Sequence, residues 1–212
     1  MNMYPGSLKD GELGFACHPH EKQKFKSALA KSIEYCQALG SPKMHIVAGN
    51  KQDAHSDKEM YKTYLENIEY AAVTLEKYGI EAVIEPINSV TMPGYFLDNF
   101  DLAASIIEKV DSKNLKLQFD FFHCQMICGN LTDNFKFYLP IIGHIQISQV
   151  PHRNEPDADG EINYRYIFNM IRHSGYCGPV GAEYNQKRPL EDGKGGEKGT
   201  FSWIQFFNLE KA

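Results

Sequence analysis

Several features that would point to other protein classes are missing from this sequence. No apolar run reaches the ~18 residues needed to span a bilayer. The opening, MNMYPGSLKD, lacks the charged start and apolar stretch of a signal peptide. Basic residues are too few to hold a phosphate backbone: 22 Lys and Arg stand against 27 Asp and Glu, a net charge of −5. With a pI near 5.9, nucleic-acid binding is disfavoured. Cysteine is scarce and odd in number. The five (Cys17, Cys36, Cys124, Cys128, Cys177) show no paired spacing, so reduced thiols in a cytosol-like, cytoplasmic compartment are expected. There is no GxGxxG and no P-loop, the usual marks of an open nucleotide-binding sheet.

What remains is an ordinary globular composition. The 212 residues are 42% hydrophobic, 12% aromatic and 23% charged, enough to bury a sizeable core in one domain spanning 1–212. Short apolar runs rich in Val, Ile or aromatics recur: MHIVAGN, EAVIEPIN, LKLQFDFFH, HIQISQV and PVGAEYN. They start at residues 44, 81, 115, 144 and 179. Helical periodicity lies between them. Phe25, Leu29, Ile33 and Cys36 share one face of Glu21–Leu39, and Tyr61, Leu65, Ile68, Ala72 and Leu75 mark Asp57–Tyr78. Shorter helices are predicted over Phe100–Val110, capped by Asp98 or Asn99, over Phe135–Leu139 and over Tyr164–His173. Alternation at this interval means βα units and a parallel sheet.

The fold class is therefore α/β, and the absent nucleotide motifs favour a (β/α)8 TIM barrel over an open sheet. Eight units of this length would need roughly 280 residues, and barrels hold ~250. The chain has room for one partial strand, at NMYPG, and five whole ones. An incomplete barrel lacking about its first two βα units is expected. Lys187–Gly199, rich in Gly and charge, reads as a mobile loop.

In such a fold, chemistry sits at the C-terminal ends of the strands. Glu85, Asp120, Gln146 and Glu183 fall there, each on a different run. A carboxylate in an apolar strand is costly to bury unless paired or metal-bound. Three carboxylates and one amide oxygen form a hard set suited to a divalent metal, Mg2+ or Mn2+, rather than zinc. His123, three residues beyond Asp120, is placed to donate to a substrate oxygen. Arg153, on the loop after the fourth run, can grip a carboxylate in bidentate fashion. His45 reads as structural, the Asn130-Leu-Thr132 sequon as unused, and Phe201, Trp203, Phe206 and Phe207 as core packing.

With MHIVAGN, IEPIN, QFDFFHCQMICGNLT, HIQISQVPHRNEPDADGEINY and GAEYNQKR in this order, the sequence resembles the hydroxypyruvate isomerase family of the xylose-isomerase-like barrel superfamily. The resemblance runs from Asn2 to the region of Trp203. It implies isomerisation of hydroxypyruvate and 2-hydroxy-3-oxopropanoate, with Glu85 and Glu183 as proton donor and acceptor. It also implies a divalent metal on Glu85, Asp120, Gln146 and Glu183, and substrate contacts from His123 and Arg153. A histidine often stands at the position of Gln146 in related epimerases. The resemblance further implies a chain shortened at its N-terminus, a small 2-oxo acid as partner, and neither nucleic acid nor membrane. A homo-oligomer is compatible with the open sheet edges. The alternatives are a related oxo-acid or sugar isomerase or epimerase, and a non-catalytic truncated form. A nuclease of the endonuclease IV type is opposed by the acidic pI and the lack of a histidine-rich metal cluster.

Overall fold

A computed structural model describes residues 1–7, 9, 11–188 and 199–209. Five strands hydrogen-bond in the order β1-β2-β3-β4-β5: β1 Lys43–His45, β2 Glu81–Ile84, β3 Leu115–Asp120, β4 Ile142–Ile147 and β5 Val180–Ala182. The registers are parallel, with Met44 opposite Ala82, Ile84 opposite Leu117, and Gln146 opposite Gly181. Sequence order equals spatial order, as successive βα crossovers require. Helices α1 Lys22–Leu39, α2 Asp57–Glu76, α3 Phe100–Val110, α4 Phe121–Ile127, α5 Leu131–Tyr138, α6 Tyr164–His173 and α7 Trp203–Phe206, with 3-10 turns at Pro19–Glu21 and Leu139–Ile141, complete the described elements.

The chain divides into two compact units. The first comprises residues 1–119 and 140–144. Its helices form where the sequence supplies both an apolar stripe and an end signal. In α2, Met60, Tyr64, Ile68, Ala72 and Leu75 are buried on one side. Ser56 and Glu59 close a reciprocal capping box at its start. Helix α1 stops at Gly40, whose φ of 63° is left-handed backbone that a side chain would resist. Asn99, one of the two expected caps, accepts from Leu102 N at 2.8 Å and starts α3. Residues 1–3 lie alongside β1: Met3 N donates to His45 O and His45 N to Met1 O, both at 2.9 Å. The strand tail expected at NMYPG is thus present as one parallel rung.

The second unit comprises residues 120–139 and 145 onward. Here the structure corrects the sequence reading twice. LKLQFDFFH is not one strand, because β3 ends at Asp120 and Phe121 opens α4. The Asp120 side chain accepts from Phe122 N at 2.8 Å, and that N-cap turns the chain into a helix where aromatic residues favour strand. The expected short helix before Pro140 begins at Leu131, four residues earlier than the apolar pattern suggests. The aromatic cluster divides. Trp203 is buried and stacked on Phe168 at 6.1 Å, whereas Phe201 and Phe206 are exposed. Most of the loop expected at 187–199 lies outside the described residues.

Candidate functional site

Each unit carries part of the set of residues singled out above. In the first unit, Glu85 is the residue immediately after β2 and is 4% exposed. Its Oε2 accepts from Gln118 Nε2 at 2.7 Å and stands 3.5 Å from His45 Nδ1. Gln118 lies two residues before Asp120 on β3, so the two side chains share a face of that strand. Burial pushes the His45 imidazole down to about 3, leaving it neutral at physiological pH. Its Nδ1 also lies 3.2 Å from Asn2 Oδ1. The sequence reading missed its proximity to Glu85. Gln118 was legible in principle, since LKLQFD alternates and puts Gln118 and Asp120 in step.

In the second unit, Asp120 is completely buried at the junction of β3 and α4. Burial raises its pKa to about 7, opposed chiefly by the positive charge of Arg153 and reinforced by Glu183. His123 lies in the first turn of α4, not on a loop, with Nε2 3.8 Å from Asp120 Oδ2. Glu183 immediately follows β5, and its side chain is 45% exposed. Arg153 joins the two carboxylates: Nη2 is 3.3 Å from Asp120 Oδ2 and 2.9 Å from Glu183 Oε2. Its Nε donates to the Glu183 carbonyl at 3.4 Å, and its guanidinium lies 5.1 Å from the Phe122 ring centroid. Gln146 is half-buried on β4. It pairs in register with Gly181, two residues before Glu183, so Gln146 and Glu183 belong to one face of the sheet.

The structure thus brings Asp120, His123, Arg153 and Glu183 together, and it gives Arg153 carboxylate partners within its own chain. Two supporting groups were not anticipated. Phe122 lies beneath the guanidinium. Glu155, fully buried, accepts from the amides of Lys187 at 3.1 Å and Arg188 at 2.9 Å and from Thr200 Oγ1 at 3.0 Å. It fixes the segment that follows Glu183. Nothing in HRNEP distinguishes such an anchor from a solvated loop acid.

Chemically, the second unit offers a buried carboxylate with high proton affinity, a neighbouring imidazole and a half-exposed carboxylate steered by a guanidinium. Oxygen donors suited to a hard cation lie at the ends of β3, β4 and β5. A parallel βα chain with acidic groups at its strand ends is the architecture of a TIM-barrel enzyme. The xylose isomerase-like TIM barrel family matches residues 1–205. The fold is of that type and incomplete, with five parallel strands among the described residues. More narrowly, the chain belongs to the hydroxypyruvate isomerase family. It is 39% identical over 192 residues to the hydroxypyruvate isomerase of Escherichia coli (strain K12), covering 91% of this chain and 74% of that one. It is 39% identical over 195 residues to the 2-oxo-tetronate isomerase of Cupriavidus necator, covering 92% and 74%. A crystal structure titled AP endonuclease, family 2, from Brucella melitensis superposes with a TM-score of 0.88 at 33% identity, covering 100% of this chain and 77% of that one. Among the described residues, no helix is long and apolar enough to cross a membrane.

Proposed function

We infer that this chain carries the isomerisation chemistry of hydroxypyruvate and 2-hydroxy-3-oxopropanoate, with Glu85 and Glu183 exchanging protons with the substrate. The two compounds differ by one proton moved from C3 to C2 and a second moved from the C3 hydroxyl to the C2 oxygen. One glutamate removes a proton from C3, an enediolate forms, its hydroxyl proton passes from O3 to O2, and the other glutamate delivers a proton to C2. The observation that carries this reading is the Asp120–Arg153–Glu183 cluster at the strand ends, in a chain of this family. Arg153 holds Glu183 at a fixed reach. Its Nη1, which has no hydrogen bond among the described residues, is the edge offered to the substrate carboxylate. That edge would select 2-oxo acids over neutral sugars. His123, buried beside Asp120, donates to a substrate oxygen.

The donor set fits a divalent cation. Asp120 sits where desolvation makes a neighbouring positive charge favourable, and the remaining donors are oxygens. Asp120, Gln146 and Glu183 of the second unit would hold Mg2+ or Mn2+, which would stabilise negative charge on the substrate oxygens.

The test is turnover by the purified chain, followed in deuterated water, and by Glu85→Gln and Glu183→Gln. Each variant should lose at least a hundredfold in kcat and keep its folded spectrum. The amide oxygen introduced by Glu85→Gln can still accept from Gln118, so the fold of that variant is protected. Wild-type-like turnover in either variant overturns the proton-transfer assignment. The similarity to the Cupriavidus necator enzyme supports a second substrate reading, a longer 2-oxo acid. A comparison of kcat/KM across 2-oxo acids of increasing length decides between them. A folded chain inert on all of them would instead be the non-catalytic form.

A further inference from the structure

Cys124 and Cys128 are used by none of this chemistry, yet the fold sets them side by side. Their sulfurs lie 3.8 Å apart at the C-terminal end of α4. The helix is capped by Asp120 and carries His123 in its first turn. Cys124 is buried and Cys128 exposed. We propose that Cys124 and Cys128 form a peroxide-sensitive dithiol that closes to an intramolecular disulfide on α4.

The geometry supports closure. A disulfide bond is about 2.05 Å long, so the sulfurs must approach by roughly 1.8 Å. Cys128, at the end of the helix, is the partner whose sulfur moves. Its φ of −140° has already left the helix, and left-handed Gly129 (φ 62°) and Asn130 (φ 43°) follow it. Rotation about its own χ1 can bring the sulfur inward while Cys128 N and Gly129 N keep their bonds to Cys124 O. The order of events follows from exposure: Cys128 faces solvent, where peroxide reaches it first, and Cys124 is buried. The Cys128 thiolate attacks one oxygen of hydrogen peroxide and expels hydroxide, giving a sulfenic acid. The Cys124 sulfur, as thiolate, then displaces the second hydroxide and forms the S–S bond. In total, two thiols and one peroxide give one disulfide and two waters. Burial pushes the Cys124 thiol up, so the second step quickens as pH rises.

The experiment needs neither substrate nor metal, and its outcome is independent of the isomerase assignment. The full chain is reduced, exposed to equimolar hydrogen peroxide at pH 8, blocked with iodoacetamide and digested with trypsin. Leu117–Lys136 contains both cysteines and no other. The expected product is that peptide lighter by two hydrogen atoms and unalkylated, restored to the doubly alkylated form by dithiothreitol. Cys128→Ser and Cys124→Ser should each abolish it. Phenylarsine oxide, which bridges two close thiols, should protect the same peptide from alkylation in the reduced wild type and in neither variant. The exposed Cys177 is the control and should remain alkylated or appear singly oxidised. A peptide carrying sulfinic or sulfonic acid on Cys128 with Cys124 still a thiol and alkylated, or one unchanged by peroxide, overturns the proposal.

Discussion

Replacing Arg153 with Met keeps a long apolar stem beside Phe122 and removes one positive charge from between two carboxylates. At 3.3 Å and an effective dielectric of ~20, the Arg153–Asp120 attraction is about 5 kcal/mol before solvent screening. Arg153 is 20% exposed, which lowers that figure but leaves enough to lift Asp120 by a further ~2 pKa units, since each unit is about 1.4 kcal/mol. The measurable cost is then set by pH. At pH 5, Asp120, with a pKa of about 7, is protonated with or without Arg153. The half-exposed Glu183 pair, the bond to the Glu183 carbonyl and the aromatic contact are lost, about 1–2 kcal/mol together. At pH 8, Asp120 is ionised in the wild type and protonated in the variant. The wild type then gains an advantage of one pH unit beyond about 7, an extra ~1.4 kcal/mol. The sign in the wild type is also fixed. A carboxyl whose folded pKa is raised binds its proton in the folded chain first, so this group's contribution to stability falls as pH rises from about 4 to about 7. Urea unfolding followed by circular dichroism at pH 5, 6.5 and 8 reads both effects. A destabilisation by Arg153→Met equal at pH 5 and pH 8 would refute Arg153 as the charge partner of Asp120.

Other consequences can be checked on the same protein. Mg2+ or Mn2+ should raise the melting temperature, approaching ~2.7 kcal/mol at a hundredfold excess over Kd. The gain should be larger at pH 8 than at pH 6, because binding displaces the Asp120 proton; an equal shift at both pH values removes Asp120 from the ligand set. His45 titrates at about 3 when folded, so its contribution is lost as pH falls from about 6.5. His45→Gln should flatten stability against pH between 6.5 and 4 by up to ~1.4 kcal/mol per pH unit, and an unchanged slope assigns the acid sensitivity elsewhere. Tyr164→Phe should destabilise by about 2–4 kcal/mol in the same urea experiment, because Tyr164 Oη bonds both Ser148 N (2.9 Å) and Ser148 O (2.7 Å) in a buried setting. A neutral effect would mean that water replaces the hydroxyl there.

The elements best read from sequence are those with local causes. Phe100–Val110 and Tyr164–His173 are legible to the residue because each carries an apolar stripe bounded by an end signal, Asn99 before the first and Gly175 after the second. The strand spacing gave the parallel class for the same reason, since βα repeats leave a regular interval. LKLQFDFFH misled because its aromatic content favours strand throughout, while the decisive event is one side-chain hydrogen bond from Asp120 to the backbone two residues on. That bond has consequences beyond the boundary. By ending β3 at Asp120, it puts His123 on the first helical turn, three residues along, where its ring comes back to the carboxylate that caps the helix. Had the strand continued, alternation would have sent His123 to the face opposite Asp120. The sequence shows the residue types at the strand ends, because chemistry and burial restrict them. It does not show that Arg153 reaches both Asp120 and Glu183, because that depends on a left-handed residue in an irregular loop (φ 55°), for which arginine gives no compositional signal. The acids could be read one strand at a time, whereas the charge that couples them arises only when a loop brings one guanidinium to two strands at once.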